Sequence, residues 1–251
     1  MPRITPFRLA AVCALAVILS LALAVGASAK GFKAELRVVG SGSKVLAEKP
    51  VATASTSVKT SPKAECFGKG SGGSGDPVTI KGNTAMGLLA RASKSTPVLS
   101  PLSISDSFDF GLALCGIGKS VAKGSSSWYL KINHKSLPVS GDAAVIHPGD
   151  EVLWTLAKTE APDYKYPEEL VLTGPNTAKP GVPFAVRVLS YDEKGKSKPA
   201  GGVKVTGASA PTDAGGRTTV TLAKPAKLIA TGAGEIPSAR EPVCVGGKCP
   251  R

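Results

Sequence analysis

Four side chains in the stretch GSSSWYLKINHK, residues 124–135, have the chemistry to hold a small ligand: Trp128, Tyr129, Asn133 and His134. Aromatic residues make up only 5% of the chain, yet two of them are adjacent here. Amphipathic aromatic rings at the edge of a turn suit flat or sugar-like ligands. We therefore predict a ligand-binding site at these four residues.

Strand periodicity gives a second interpretation of the same stretch. A β-strand would place alternate residues from Trp128 to Ile132 on one buried face, together with Trp154, and would place Tyr129 on the other face. Trp128 would then be a core residue. Asn133 would only shape a turn, because asparagine tolerates positive φ and can hydrogen-bond its own backbone. The sequence leaves both interpretations open.

Motifs for catalysis or metal binding are missing from the sequence. It contains no Gly-x-Ser-x-Gly elbow, no HExxH motif and no phosphate-binding loop. His134 and His147 do not have helical spacing, and a metal site needs three or four convergent ligands. The adjacent carboxylates Glu168 and Glu169 lie in a polar stretch and are expected to be solvated. We predict a non-enzymatic protein with no metal and no cofactor.

The first 29 residues have the pattern of a secretory signal peptide. A basic start precedes an apolar run from Leu9 to about Val25, and the run ends in the small-x-small sequence ASA at positions 27–29. The run is nearly long enough to be a membrane anchor instead. Cleavage would release a secreted or cell-wall-associated protein that begins at Lys30 and has no membrane span.

Four cysteines follow the signal peptide, and an even number in an oxidising compartment predicts disulfide bonds. Cys244 and Cys249 are separated by VGGK, whose glycines permit a tight loop, so we expect them to pair. Cys66 would then pair with Cys115. The alternative is that Cys244 and Cys249 are free or bind a metal.

The chain is strongly basic, with a formal net charge of +13. Basic extracellular proteins often bind anionic polymers or lipid headgroups of the cell envelope. The lysines are dispersed, without a basic helix or an aromatic-rich RNA motif, so nucleic acid is not an expected partner. The expected partners are a small-molecule ligand or an anionic cell-wall polymer.

Two regions with different patterns of predicted secondary structure indicate two domains, at residues 30–158 and 169–251. A polar, proline-containing linker at 159–168 joins them. The first region predicts an α+β domain, with several alternating strands and one helix near residues 84–92, capped by Asn83 or Thr84. The second region has short strands at roughly ten-residue spacing, which predicts an all-β, immunoglobulin-like (Ig-like) β-sandwich.

Three segments carry a resemblance to a known family: TAMGLL at Thr84–Leu89, WYLKINH at Trp128–His134 and GDEVLW at Gly149–Trp154. Together they resemble the transcobalamin-like C-terminal domain of bacterial secreted proteins and of animal vitamin B12 carriers, over about residues 32–158. The resemblance implies a β-grasp-like fold, in which a mixed sheet surrounds a short helix. It also implies cobalamin as a candidate ligand, because in the B12 carriers this domain covers one face of the corrinoid. The second region is similar to the β-sandwich that often follows this domain in actinobacterial secreted proteins.

These observations predict a secreted, non-enzymatic binding module of the cell envelope. Its first domain would capture a small ligand such as a corrinoid, and its second domain would act as a spacer. The alternative is a structural or adhesive envelope protein that is held by its basic surface and has no small-molecule ligand.

Overall fold

A computed structural model describes residues 31–159 and 165–250 of the protein. The predicted signal peptide at residues 1–29 lies outside the described residues, and so do residues 160–164 of the predicted linker. The described residues belong to one compact unit, Gly31–Arg251. None of the helices in the described ranges has the length and apolarity that a membrane span requires.

The described part of the first half of the chain contains ten strands and one α-helix. The helix is α1, Ala85–Ser93, and two short 3-10 helices lie at Ser41–Ser43 and Pro97–Leu99. The strands are β1 Lys33–Gly40, β2 Lys44–Ala52, β3 Thr56–Lys59, β4 Pro77–Ile80, β5 Leu102–Ser105, β6 Ala113–Ile117, β7 Ser120–Val121, β8 Ser126–Ile132, β9 Lys135–Ser136 and β10 Glu151–Lys158.

The second half contains nine strands and no helix among its described residues. They are β11 Glu169–Thr173, β12 Thr177–Ala178, β13 Phe184–Tyr191, β14 Ser197–Pro199, β15 Lys204–Val205, β16 Arg217–Val220, β17 Ala226–Leu228, β18 Ala230–Thr231 and β19 Glu241–Val245.

A five-stranded sheet in the order β2-β1-β10-β8-β9 organises the first half. β1 runs parallel to β10, and the other neighbours are antiparallel. The alternation read in the sequence is present in β8: Trp128, Leu130 and Ile132 are buried in the same core as α1, so Tyr129 and Lys131 point to the opposite face. The face occupied by Lys131 packs against the second half of the chain.

Helix α1 begins where the sequence predicts, directly after Thr84. The Thr84 hydroxyl accepts a hydrogen bond from the backbone N–H of Gly87 at 3.1 Å, which satisfies one free donor of the first turn. Gly87 is required because a Cβ atom at this position would lie 1.9 Å from the carbonyl oxygen of Lys81. Eight of the nine helical residues are buried, and only Arg91 is exposed.

The predicted fold class of α+β followed by all-β, with a β-grasp-like first domain, is wrong. The described structure is mostly β: its only α-helix spans nine residues, and the strands form several separate sheets. In the first half, β3-β4 and β5-β6-β7 form small sheets of their own beside the five-stranded sheet. The physical reason is that helical periodicity is confined to one short segment, while the glycine- and proline-rich remainder forms short strands that pair locally.

The second half has its own core, and its architecture is compatible with the predicted β-sandwich. β13 is the central strand of one sheet, between β11 on one side and β14 and β16 on the other, and β19 joins β12 and β17 in another. The buried side chains of this core are mainly valine and leucine, among them Leu170, Val186, Val188, Val220 and Val243. The predicted domain boundaries stay a prediction.

Both predicted disulfide bonds are present. Cys66–Cys115 connects the segment after β3 to β6 over a sequence separation of 49 residues. Cys244–Cys249 closes a separation of 5 residues at the end of β19. Disulfide bonds of this kind are typical of proteins that fold in an oxidising compartment.

Candidate ligand pocket

A pocket of about 440 Å³ lies beside the edge of the five-stranded sheet. Strand β9 pairs only with Lys131 and Ile132 of β8, so the earlier part of β8 has no further strand on its outer side in the described chain. The pocket occupies this side, and its floor is apolar and buried: Trp128, Leu130, Trp154 and Met86. The floor therefore belongs to the core that holds α1 against the sheet.

Aromatic rings form one wall of the pocket. Phe67 and Phe110 both line it, and their side chains are 58% and 59% exposed to solvent. Phe108 connects them, because its ring is stacked on Phe110 at 4.8 Å and meets Phe67 edge-on at 5.4 Å. The disulfide at Cys66 holds Phe67 beside this cluster.

A second wall comes from a pair of tyrosines. Tyr129 of β8 and Tyr166, which precedes β11, meet edge to face with ring centroids 4.4 Å apart. Both line the pocket, together with Glu193 and Lys194 from the turn between β13 and β14. Burial raises the pKa of Tyr166, and the neighbouring Tyr129 and Glu193 raise it further.

The segment after β9, residues 137–141, closes a third side. Gly141 lies directly on the ring of Trp154: a Cβ atom here would be 2.5 Å from the indole. The lack of a side chain therefore lets the segment approach the pocket floor. The indole N–H of Trp154 is satisfied, since it donates to the carbonyl oxygen of Ala85 at 3.4 Å.

Two polar atoms of the pocket lining are buried without a hydrogen-bond partner among the described residues: the indole nitrogen of Trp128 and the hydroxyl of Ser140. Buried polar groups are nearly always hydrogen-bonded, and an unsatisfied one costs about 1–3 kcal/mol. Both groups can donate. Each group is therefore a candidate donor to a ligand acceptor that reaches it.

The structure separates the four predicted ligand residues into two pairs. Trp128 and Tyr129 line the pocket, and Trp128 is also a core residue that is only 9% exposed. Asn133 and His134 are not among the residues that line this pocket. Binding of a ligand by any of the four stays a prediction.

Asn133 shapes the turn between β8 and β9. It has a φ of 49°, its side-chain amide donates to Asp150 at 2.8 Å, and its side-chain oxygen accepts from the backbone N–H of Glu151 at 2.9 Å. These bonds join the turn to the start of β10, as expected for an asparagine in the left-handed region.

His134 points to a second, smaller cavity of about 160 Å³, which is also lined by Arg37, Glu151 and Glu169. Its Nδ1 atom lies 3.2 Å from Oε1 of Glu169, and its ring is 4.4 Å from the ring of Tyr191. His134 therefore contacts the second half of the chain.

The expectation that Glu169 is solvated is wrong. Glu169 is 1% exposed, because it begins β11 and faces the first half, where it forms an ion pair with Arg37 and lies 3.5 Å from the ammonium of Lys131. Burial by itself would raise the pKa of Glu169. The contact with His134 and the charges of Arg37 and Lys131 outweigh that effect, and they hold the pKa below its usual value.

Several lining residues were not predicted from the sequence: Phe67, Phe110, Leu137, Trp154, Tyr166 and Glu193. Phe110 offered a signal, because the FDF sequence is unusual in a chain so poor in aromatic residues. Tyr166 offered none, since it lies in the predicted linker. Within residues 31–159 and 165–250, no group of three or more His, Cys, Asp or Glu side chains could hold a metal ion.

No protein-family model matches the chain, and no curated protein matches it. Among solved structures, the chain is similar to a crystal structure of haptocorrin in complex with Cbi, at 11% sequence identity and a TM-score of 0.33. The similarity covers 51% of this chain and 25% of the haptocorrin chain, so this protein spans about a quarter of the length of that neighbour. At this TM-score the similarity does not establish a shared fold.

Proposed function

We propose that the protein is a secreted, non-enzymatic module that binds a small ligand with a flat apolar body in the aromatic pocket. The observation that carries the proposal is the pocket itself. Its volume of about 440 Å³ falls within the range of small-molecule sites, which is about 300–1,000 Å³. Its floor contains two tryptophans, and its walls contain two phenylalanines and two tyrosines.

The exposed rings support a role in binding. Phe67 and Phe110 leave more than half of their side chains in water, although burying apolar surface is worth about 25 cal/mol per Å². A flat ligand would cover both rings and gain aromatic contacts of about 0.5–1.5 kcal/mol each. The unpartnered donors of Trp128 and Ser140 would orient it.

Secretion and the lack of catalysis are also part of the proposal. The leader-like first 29 residues and the two disulfide bonds both favour an oxidising compartment. The described pocket lining contains one carboxylate, Glu193, and neither histidine nor cysteine. The active site of a hydrolase usually contains paired acid–base groups or a nucleophile with its base.

A corrinoid is the specific ligand that the sequence resemblance suggests, and the pocket limits how it would bind. A corrin ring with its side chains is larger than this pocket, so only one edge of the ring would enter, against Trp128 and Tyr129. A smaller aromatic ligand would fit within the walls.

Titration of the full chain with two probes tests the proposal. 1-Anilinonaphthalene-8-sulfonate reports a generic flat apolar ligand by its fluorescence, and cobalamin reports the corrinoid form by a shift of its absorbance. We expect saturable binding of the first probe. Phe110→Ser should raise its Kd about ten-fold, because a wall ring is lost.

Val182→Ser is the matched control, since Val182 is 48% exposed and does not line the pocket. Its Kd should equal that of the wild type. If the wild type does not bind the dye saturably, or if Phe110→Ser binds as well as the wild type, the pocket is not a binding site. A saturable cobalamin spectrum that Phe110→Ser weakens would support the corrinoid form.

One observation favours the alternative of an envelope protein held by its basic surface. Arg187 of β13 and Arg217 of β16 are direct cross-strand partners. Both are exposed, and neither forms an ion pair with a described residue. Like charges at such positions are unfavourable, and an anionic polymer would neutralise them. The test is binding to a glycerol-phosphate polymer. The alternative is supported if salt reverses this binding, if the double variant Arg187→Gln/Arg217→Gln no longer binds, and if Phe110→Ser binds as the wild type does.

A further inference from the structure

We infer that the aromatic pocket is completed by the second half of the chain, and that Lys131 is the positioning residue that holds this half in place at the pocket. The inference rests on the proposed ligand-binding function. It replaces the expected spacer role of the second half with a direct role in the site.

The turn between β13 and β14 forms part of the pocket wall. Glu193 and Lys194 lie in this turn and line the pocket. The backbone N–H of Ser136 donates to the carbonyl oxygen of Glu193 at 2.9 Å, and a Cβ atom on Gly195 would lie 3.4 Å from the Cβ of Lys135. The turn therefore lies directly against β9, whose two residues also line the pocket.

Local hydrogen bonds hold the shape of this turn. The carboxylate of Asp192 accepts the backbone N–H groups of Lys194 at 2.9 Å and Lys196 at 2.8 Å, and Gly195 supplies the left-handed backbone with a φ of 78°. The shape of such an Asx-type turn is fixed by its own hydrogen bonds. The position of the turn relative to the pocket is set by its contact with β9 and by what holds its base.

Lys131 holds that base. Its ammonium donates to the carbonyl oxygens of Tyr191 at 3.2 Å and Asp192 at 3.1 Å, the two residues that lead into the turn. The Lys131 side chain is 3% exposed and, by strand alternation, points away from the core side of β8 on which Trp128 and Leu130 lie. Lys131 is not among the residues that line the pocket, so it acts on a ligand through the turn.

The environment of Lys131 shows that this contact is built into the fold. Burial lowers the pKa of Lys131, although the nearby charge of Glu169 works in the opposite direction. A buried ammonium is tolerated only where carbonyl or carboxylate oxygens surround it. Here three such oxygens belong to the second half of the chain, so the favourable arrangement exists only when the halves are docked.

Docking and ligand binding are consequently linked. A ligand that contacts the turn binds the docked arrangement more tightly than an undocked one, so it stabilises the junction by an amount that grows with the logarithm of its concentration once that concentration exceeds its Kd. Conversely, a change that releases the turn weakens ligand binding even though no atom of the pocket floor has been altered.

The test compares two junction variants of the full chain with the dye 1-anilinonaphthalene-8-sulfonate. Lys131→Met removes the ammonium and keeps the apolar stem. Glu48→Gln removes the ion pair between Glu48 and Arg240, whose charged atoms are 3.2 Å apart. Glu48 belongs to β2, at the edge of the sheet that is farthest from the pocket. We expect Lys131→Met to raise the dye Kd about ten-fold, Lys131→Arg to restore most of the affinity, and Glu48→Gln to bind as the wild type does.

A second variant keeps the inference testable if Lys131→Met does not fold, as judged by near-ultraviolet circular dichroism. Glu193→Ala/Lys194→Ala truncates two exposed side chains of the turn and should raise the dye Kd several-fold. Wild-type affinity in this variant would overturn the inference, and so would wild-type affinity in a folded Lys131→Met protein. Either result would leave the pocket itself intact, whereas a wild type that binds no dye would overturn the proposed function.

Discussion

Arg37 of β1 and Glu169 of β11 form a buried ion pair across 132 residues of sequence, and both side chains are less than 10% exposed. Arg37 also donates to the carbonyl oxygen of Pro237, so it contacts the second half at two points. Lys131 and His134 approach the same carboxylate from β8 and its turn. The junction between the halves is therefore centred on a single acidic side chain.

We predict that Glu169→Gln strongly destabilises the protein. The substitution leaves the cations of Arg37 and Lys131 buried without their counter-charge, and breaking a buried pair in this way costs about 3–5 kcal/mol. The free energy of unfolding, measured by denaturant titration, reports the effect. The neighbouring Glu168→Gln is the control: Glu168 pairs with the exposed Lys198, so the cost should be about 1 kcal/mol or less. Equal costs for the two variants would contradict the buried arrangement.

We predict that Glu169 also makes the stability of the folded protein depend on pH. The pKa of Glu169 is held below its usual value of 4.5 in the folded protein, so the folded state keeps this carboxylate charged at a pH where the unfolded state protonates it. The stabilisation is therefore complete above about pH 4.5 and is lost as the pH falls through the lowered pKa.

Denaturant titrations at decreasing pH should show this loss as a difference between two proteins. Glu235 and Glu241 have raised pKa values because of burial, and their contributions have the opposite sign. Subtracting the pH profile of Glu169→Gln from that of the wild type removes them. The difference should shrink in acid, and a difference that stays constant with pH would contradict the prediction.

The sequence allowed local features to be predicted because neighbouring residues determine them. The cap at Thr84, the alternation of Trp128, Leu130 and Ile132, and the two disulfide pairs are all present. The burial of Glu169 was not predictable in this way, since it depends on Arg37, which is distant in the sequence. The pocket walls have the same origin: Phe67, Phe110 and Tyr166 line one pocket only because of tertiary packing. The α+β expectation failed because it treated one short helix as a complete structural layer.

We predict that the two disulfide bonds differ in their contribution to stability. Cross-linking stabilises mainly by restricting the unfolded chain, so the longer loop should contribute more. Separations of 49 and 5 residues correspond to about 4 and about 2 kcal/mol at room temperature. Cys66→Ser/Cys115→Ser should therefore lower the Tm more than Cys244→Ser/Cys249→Ser. The first variant should also weaken dye binding, because Phe67 adjoins Cys66.

Finally, we predict that the pocket prefers ligands that carry a hydrogen-bond acceptor. Calorimetry with 2-acetylnaphthalene and 2-isopropenylnaphthalene compares two ligands of nearly the same shape, of which only the first has a carbonyl oxygen that accepts a hydrogen bond. The unpartnered donors on Trp128 and Ser140 should favour the acetyl compound by about 1 kcal/mol, or about five-fold in Kd. Replacing Trp128 with a benzothiophene analogue of tryptophan, which keeps the shape and lacks the N–H, should reduce the preference, and Ser140→Ala should do the same. Tight binding of both naphthalenes without a preference would show that these two donors do not face the ligand.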